Sequence, residues 1–225
     1  MIPLRDSHRV SIFPIVTIGL VFLNVFVFLI EITSVNLDSF ISGYALVPAN
    51  IDFSNFYTLI PFLTSQFLHA GFLHIVSNMW FMKIFGDNVE ERLGSILLLL
   101  IYLLSGTFGG VLQYIFSPNS LVPMLGASGA VAGVLGSYMV FFPNHKIETL
   151  VPFGFFMTTI NLPASVMLFY WFLTQLFSGV GSIATAEIGG VAFWAHIGGF
   201  ATGYLAARLF SRNGSSLTDE GVILD

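Results

Sequence analysis

The run I-F-P-I-V-T-I-G-L-V-F-L-N-V-F-V-F-L-I, residues 12–30, holds nineteen residues without a charge. At about 1.5 Å per helical residue it crosses nearly all of a 30 Å hydrocarbon core. It is longer than the apolar stretch of a secretory leader, and no small-residue cleavage site follows it, so it reads as a retained membrane span. Composition extends that reading to the whole chain. Of 225 residues, 56% are hydrophobic and 8% charged, with a mean hydropathy of +0.88, whereas soluble domains carry about 25% charged residues. Lipid must cover what so few charges cannot. The chain has no cysteine, which excludes disulfides, thiol catalysis and thiolate metal sites. Its net charge of −5 gives no reason to expect a nucleic-acid partner.

Working outward from that first span, the sequence predicts an all-α bundle of six transmembrane helices, at about 12–30, 71–86, 95–115, 126–142, 163–180 and 189–208. The expected organisation is one membrane domain over residues 1–225, because the polar residues 1–11 and the tail after Arg208 are too short to fold alone. A loop of about forty residues, 31–70, separates the first two spans. It is rich in aromatics (Phe40, Tyr44, Phe53, Phe56, Phe62, Phe67), so it is expected to lie along the membrane surface. Loops of that length usually have a function. The remaining connections, 117–123, 143–162 and 181–188, are marked by Pro, Asn, Gly and Ser. All seven basic residues (Arg5, Arg9, Lys83, Arg92, Lys146, Arg208, Arg212) fall on one side of such a six-span arrangement. By the positive-inside rule, both termini are expected in the cytoplasm.

Polar groups inside hydrocarbon are costly and suggest function by default. Three clusters stand out: His74 with Asn78 on the second span, Ser128 on the fourth and His196 on the sixth. Counting from the cytoplasmic ends, Ser128 lies about 22 Å up, His74 about 20 Å and His196 about 18 Å. Three polar groups on three spans at one level read as one site. A fourth span starting near Gly126 is too short to cross, so its N-terminus should be submerged beside a water-filled cavity open to the outer side. Ser128 stands in G-A-S-G-A, residues 126–130, which is not the soluble-hydrolase G-x-S-x-G elbow. The glycines serve helix packing instead. Gly129 with Gly133 and Gly199 with Gly203 form two G-x-x-x-G pairs, flanked by Ala195 and Ala207, and with Gly126 they are the expected packing residues near the site. Small residues at this spacing let helices approach closely, which would bring Ser128 to His196. A neutral imidazole could then take the serine proton as general base.

His74 and Asn78 are four apart, hence on one helix face. Together with the free N–H groups at the start of span four they could stabilise an oxyanion. Against this stands the plainer reading that a lone membrane serine packs or bonds back to its own helix. The shared depth, and the lack of an intramembrane acid as alternative partner, favour a catalytic site. Zinc chemistry has no H-E-x-x-H, and an aspartyl dyad has no second acid opposite Asp87. No metal or cofactor is expected.

With these residues in place, the chain resembles the rhomboid family of intramembrane serine proteases along nearly its whole length. F-L-H-A-G-F-L-H-I-V-S-N (67–78), V-P-M-L-G-A-S-G-A-V-A-G (122–133) and F-W-A-H-I-G-G-F-A-T-G (193–203) are similar to the family's blocks on spans two, four and six. Gly86, Glu90 and Gly94 are similar to its structural G-x-x-x-E-x-x-x-G. The resemblance implies a serine endopeptidase with Ser128 as nucleophile and His196 as base. It implies His74, Asn78 and the Ser128 N–H as oxyanion donors. It also implies transmembrane protein substrates, cut near the outer face of the bilayer, with span five as the lateral entry. The expected location is an integral, multi-pass one in a prokaryotic plasma membrane. Two departures stand out. The first loop lacks the Trp-Arg pair of well-known members, and Ala132 replaces the aromatic residue that many members carry four after the serine, so another group must orient His196. The alternative reading is a non-catalytic relative that binds membrane clients. A transporter fits less well, because no internal repeat is present.

Overall fold

The computed structural model describes residues 1–8, 10–154, 156–185 and 192–213. Arg9, part of the expected 181–188 connection, the first residues of the expected sixth span and the tail beyond 213 lie outside the described residues. Eight α-helices and three strands are described: β1 (Ile2–Asp6), α1 (Ile15–Thr33), α2 (Leu37–Tyr44), α3 (Pro61–Thr64), α4 (Phe72–Leu93), α5 (Ser95–Phe116), α6 (Ser128–Phe141), β2 (Lys146–Phe153), β3 (Phe156–Pro163), α7 (Ala164–Thr185) and α8 (Phe193–Asn213). Six of the helices fall where the six spans were expected, with shifted ends. Among the described residues, α1, α5 and the Ala164–Gly181 part of α7 are each long and apolar enough to cross a membrane. The α4 helix meets that test only jointly with the preceding segment Phe56–Phe67, across a 77° bend, and α6 is a shorter apolar helix.

The expectation of an all-α fold is corrected by a three-stranded antiparallel sheet in the order β1-β2-β3. The expected 143–162 connection is largely the β2–β3 hairpin, which turns at Gly154 with φ +60°. Its strands read K-I-E-T-L-V and M-T-T-I-N, rich in the β-branched residues that favour pleated structure. The N-terminal segment pairs onto it, with Ile2 opposite Leu150 and Asp6 opposite Ile147. A second correction concerns α4. Arg92, expected in the connection after residue 86, lies within the helix, as does Lys83. Charges end a membrane span, not a helix, and α4 continues until Gly94 takes φ +84°, a conformation that only glycine adopts freely.

Glu90 explains the structural role of its motif. The α1 helix begins after Pro14 without a side-chain cap of its own. Glu90, fully buried, supplies one from α4: its carboxylate accepts from Val16 N at 2.9 Å, Thr17 N at 2.8 Å and Thr17 Oγ1 at 2.8 Å, and Ser95 Oγ adds 2.7 Å on the other side. Negative charge at a helix N-terminus is stabilising as well as hydrogen-bonded. Gly86, one turn earlier, sits against Thr17, and a Cβ there would lie 3.0 Å from the Thr17 methyl group.

The core centres on α6, which packs against α8, α5 and α4. The α6–α8 contact is backbone to backbone. A Cβ on Gly199 would lie 1.9 Å from the Gly129 carbonyl oxygen, and one on Gly203 would lie 1.9 Å from that of Gly133. The long first loop is braced without a Trp-Arg pair. Leu46 and Met124 exchange backbone hydrogen bonds at 3.0 and 2.7 Å, and Ala49 N donates to Ser120 O. Thr64 Oγ1 donates to Tyr44 O, and buried Gln66 donates to Leu103 O. Large apolar residues such as Phe22, Leu73, Ile96 and Phe177 point outward, as lipid-facing positions of a membrane bundle should.

Candidate active site

Ser128 is the first residue of α6 and His196 lies in the first turn of α8. The close α6–α8 packing brings them together, with His196 Nε2 2.7 Å from Ser128 Oγ. At about 1.5 Å per residue the fourteen residues of α6 span about 21 Å, less than a bilayer core. The approach to it is set by the first loop, where Gly126 N donates to Ser65 O at 2.9 Å. Gly126 has φ +129°, and a Cβ there would come 2.6 Å from the His74 ring. Glycine is required both for the conformation and for the space. Of the expected packing glycines, Gly126 therefore faces His74, while Gly129, Gly133, Gly199 and Gly203 form the α6–α8 seam.

His74 and Asn78 lie on one face of α4 and line a cavity of about 480 Å³ together with Ser128, Gly126, Trp171 and His196. Ala70 N points at His74 Nδ1 at 3.4 Å, a long hydrogen bond that makes Nδ1 the acceptor. The ring proton is then on Nε2, the nitrogen nearer Gly126. Asn78 is buried, and its Nδ2 has no partner among the described residues. The α6 helix has no side-chain cap, so its first N–H groups, Ser128 among them, lack intrahelical partners. His74, Asn78 and the start of α6 at Ser128 thus line one cavity.

Two contacts of His196 were missed in the sequence reading. Gln175 on α7 places Oε1 2.7 Å from His196 Nδ1, and the Trp171 ring lies 6.0 Å from the imidazole at a 34° tilt. Both come from α7 and meet the imidazole of His196. The signal for Gln175 was available: it is a polar amide within an apolar span, W-F-L-T-Q-L-F, and such groups suggest function by the same rule that picked out His196. An amide neither takes nor gives up a proton, so Gln175 carries no acid–base chemistry that would mark it out beside His196.

A family model for the rhomboid domain matches residues 57–213. RHOMBOID-like protein 6, mitochondrial, of Arabidopsis thaliana is 31% identical over 142 residues, which cover 63% of this chain and 40% of that protein. RHOMBOID-like protein 4 of the same plant is 34% identical over 149 residues, or 64% of this chain and 32% of the relative. Rhomboid protease GluP of Bacillus subtilis is 40% identical over 86 residues, or 38% and 16%. The chain spans well under two thirds of the length of these relatives. The apolar helices and the family match give an integral-membrane protein, and relatives in both a plant and a bacterium do not by themselves assign it to a prokaryotic membrane. The family match covers well over half of the chain and includes Ser128, His196, His74 and Asn78: this protein belongs to the rhomboid family.

Proposed function

We propose that this protein is an intramembrane serine endopeptidase that cuts transmembrane proteins near the outer face of the bilayer. The observation that carries the reading is the 2.7 Å approach of Ser128 Oγ to His196 Nε2 at the wall of a cavity lined by His74 and Asn78. The hydroxyl donates to Nε2. As Oγ attacks the scissile carbonyl, the proton passes to the imidazole and a tetrahedral oxyanion forms. Asn78 Nδ2, His74 Nε2–H and the Ser128 N–H surround that oxygen and stabilise its charge, which they meet already oriented. The imidazolium then gives its proton to the leaving amine, and water releases the acyl group by the same steps in reverse roles. Six spans with both termini in the cytoplasm would place this site toward the outer leaflet.

The test is reaction of the full chain, in detergent, with a fluorophosphonate probe, alongside cleavage of a single-span substrate. Wild type should label and cleave. Ser128→Ala and His196→Ala should each lower cleavage by about 10⁴-fold or more, and the double variant should be no worse than either, because residues acting as a unit are non-additive. Labelling of Ser128→Ala at the wild-type rate would put the nucleophile elsewhere. A folded wild type that neither labels nor cleaves would leave the client-binding relative as the better reading.

A further inference from the structure

We infer that Gln175 is the positioning residue for His196: its side-chain oxygen, supplied from α7, selects the ring tautomer that can accept the serine proton. This rests on the dyad proposed above. An imidazole that is neutral carries one N–H, and which nitrogen bears it is decided by the partner of the other. Gln175 Oε1 can only accept, so at 2.7 Å from Nδ1 it calls for the proton there. Nε2 is then left with its lone pair directed at Ser128 Oγ, 2.7 Å away.

The amide itself is held the right way round. Thr174 Oγ1 donates to Trp171 O at 2.6 Å, which leaves the hydroxyl oxygen to accept. Gln175 Nε2 donates to that oxygen at 3.2 Å, so Oε1 is the atom turned toward His196. Were the amide reversed, its NH₂ would face Nδ1, the proton would move to Nε2, and Ser128 would lose its base. The chain Trp171 O, Thr174, Gln175, His196, Ser128 thus has one polarity throughout. Trp171 contributes a second restraint, since its ring packs at a tilt beside the imidazole. No carboxylate takes part, so the tether is a neutral one, suited to an apolar setting where an unpaired charge would be costly.

The deciding experiment uses the full-length protein in detergent micelles with ring-¹⁵N histidine, read by NMR for the His196 tautomer, next to single-turnover cleavage. Wild type should give the Nδ1–H form. Gln175→Met, close in shape but with no acceptor, should shift His196 toward the Nε2–H form and lower kcat about 10-fold, the order of one hydrogen bond, with KM little changed. Gln175→Glu, which restores an acceptor at the same reach, should return the Nδ1–H form and most of the rate. A Gln175→Met protein that keeps both the Nδ1–H tautomer and the wild-type kcat overturns the inference, as does a Gln175→Glu protein that is no better than Gln175→Met. The tautomer is read without any turnover. An Nδ1–H signal that depends on Gln175 in a protein that never labels at Ser128 would uphold the tether while sinking the protease reading.

Discussion

Asn78 Nδ2 is a buried amide donor with no partner among the described residues, an arrangement that normally costs about 1–3 kcal/mol. A helix packing position would be filled more cheaply by an apolar side chain. The unpartnered donor makes sense if its partner arrives with the reaction, as an oxygen acquiring negative charge. The two readings predict different signs. As an oxyanion donor, Asn78 replaced by Ala should lower kcat by about 100- to 1000-fold while leaving folding stability within about 1 kcal/mol of wild type, since an unmet polar group is removed along with some packing. As a packing residue it should show the opposite pattern: lower stability, with catalysis falling only in proportion to folded protein. Single-turnover cleavage normalised to the folded fraction separates them. His74→Ala should follow Asn78→Ala in direction, and the pair should combine less than additively.

At the scale of elements, two contacts that involve no reacting atom hold the helices together. The first is the α6–α8 seam. Gly199→Ala places a methyl group where the Gly129 carbonyl already stands, and a backbone on both sides cannot yield as a flexible side chain would. Overpacking of a single methyl typically costs about 1–3 kcal/mol. Here it should reach the upper end and separate Ser128 from His196, so thermal stability and fluorophosphonate labelling of the folded fraction should fall together. Gly19→Ala, on α1, meets nothing within 4 Å and should be neutral or slightly stabilising, as alanine is in helices. The second contact is the cap that Glu90 gives α1. Loss of a helix cap costs about 0.5–2 kcal/mol, and Glu90→Ala also orphans the Ser95 hydroxyl. It should therefore lower the unfolding midpoint while any cleavage rate, normalised to the folded fraction, stays at the wild-type value, because Glu90 holds α1 and α4 together and does not line the cavity. A normal midpoint for Glu90→Ala would show that solvent caps α1 equally well.

Across the whole molecule, contacts sort the connections into two ends. Ala49 bonds to Ser120, and the loop strand at Leu46 pairs with Met124. At the other end Ser7 N donates to Lys146 O, and β1 pairs with β2. Arg5 lies against Glu148 in the same sheet, and Tyr138 and Asn88 both bond to Asp6. The basic residues Arg5 and Lys146 thus share an end that Asn50 and Asn119 do not. If that end is cytoplasmic, single cysteines introduced by Asn50→Cys and Asn119→Cys should react with an impermeant thiol reagent added outside intact cells. Asn144→Cys should stay unlabelled until the membrane is opened. The native chain has no cysteine, so the background is clean. Outside labelling at position 144 would invert the orientation and, with it, the leaflet in which the site lies.

Local pattern was enough to read helices at the six expected places and to group Ser128, His196, His74 and Asn78, which line one cavity, because hydropathy and small-residue spacing are properties of neighbouring residues. The helix ends were legible less well. Arg92 is a poor membrane residue but a good helix former, so solvation pointed to a boundary after residue 86 that backbone hydrogen bonding ignores. Tertiary structure alone decided three things. It paired β1 with a hairpin some 140 residues later, as in Ile2 with Leu150, a choice among many strand partners that no local period encodes. It brought Glu90 under α1, where the carboxylate meets N–H groups left bare by Pro14. And it turned Gln175 toward His196, supplying a group to orient the ring where Ala132 cannot. Each is a contact between groups distant in sequence. Such contacts are selected by burial, since hydrocarbon leaves few other partners for a polar group, and that selection exists only once the helices have packed.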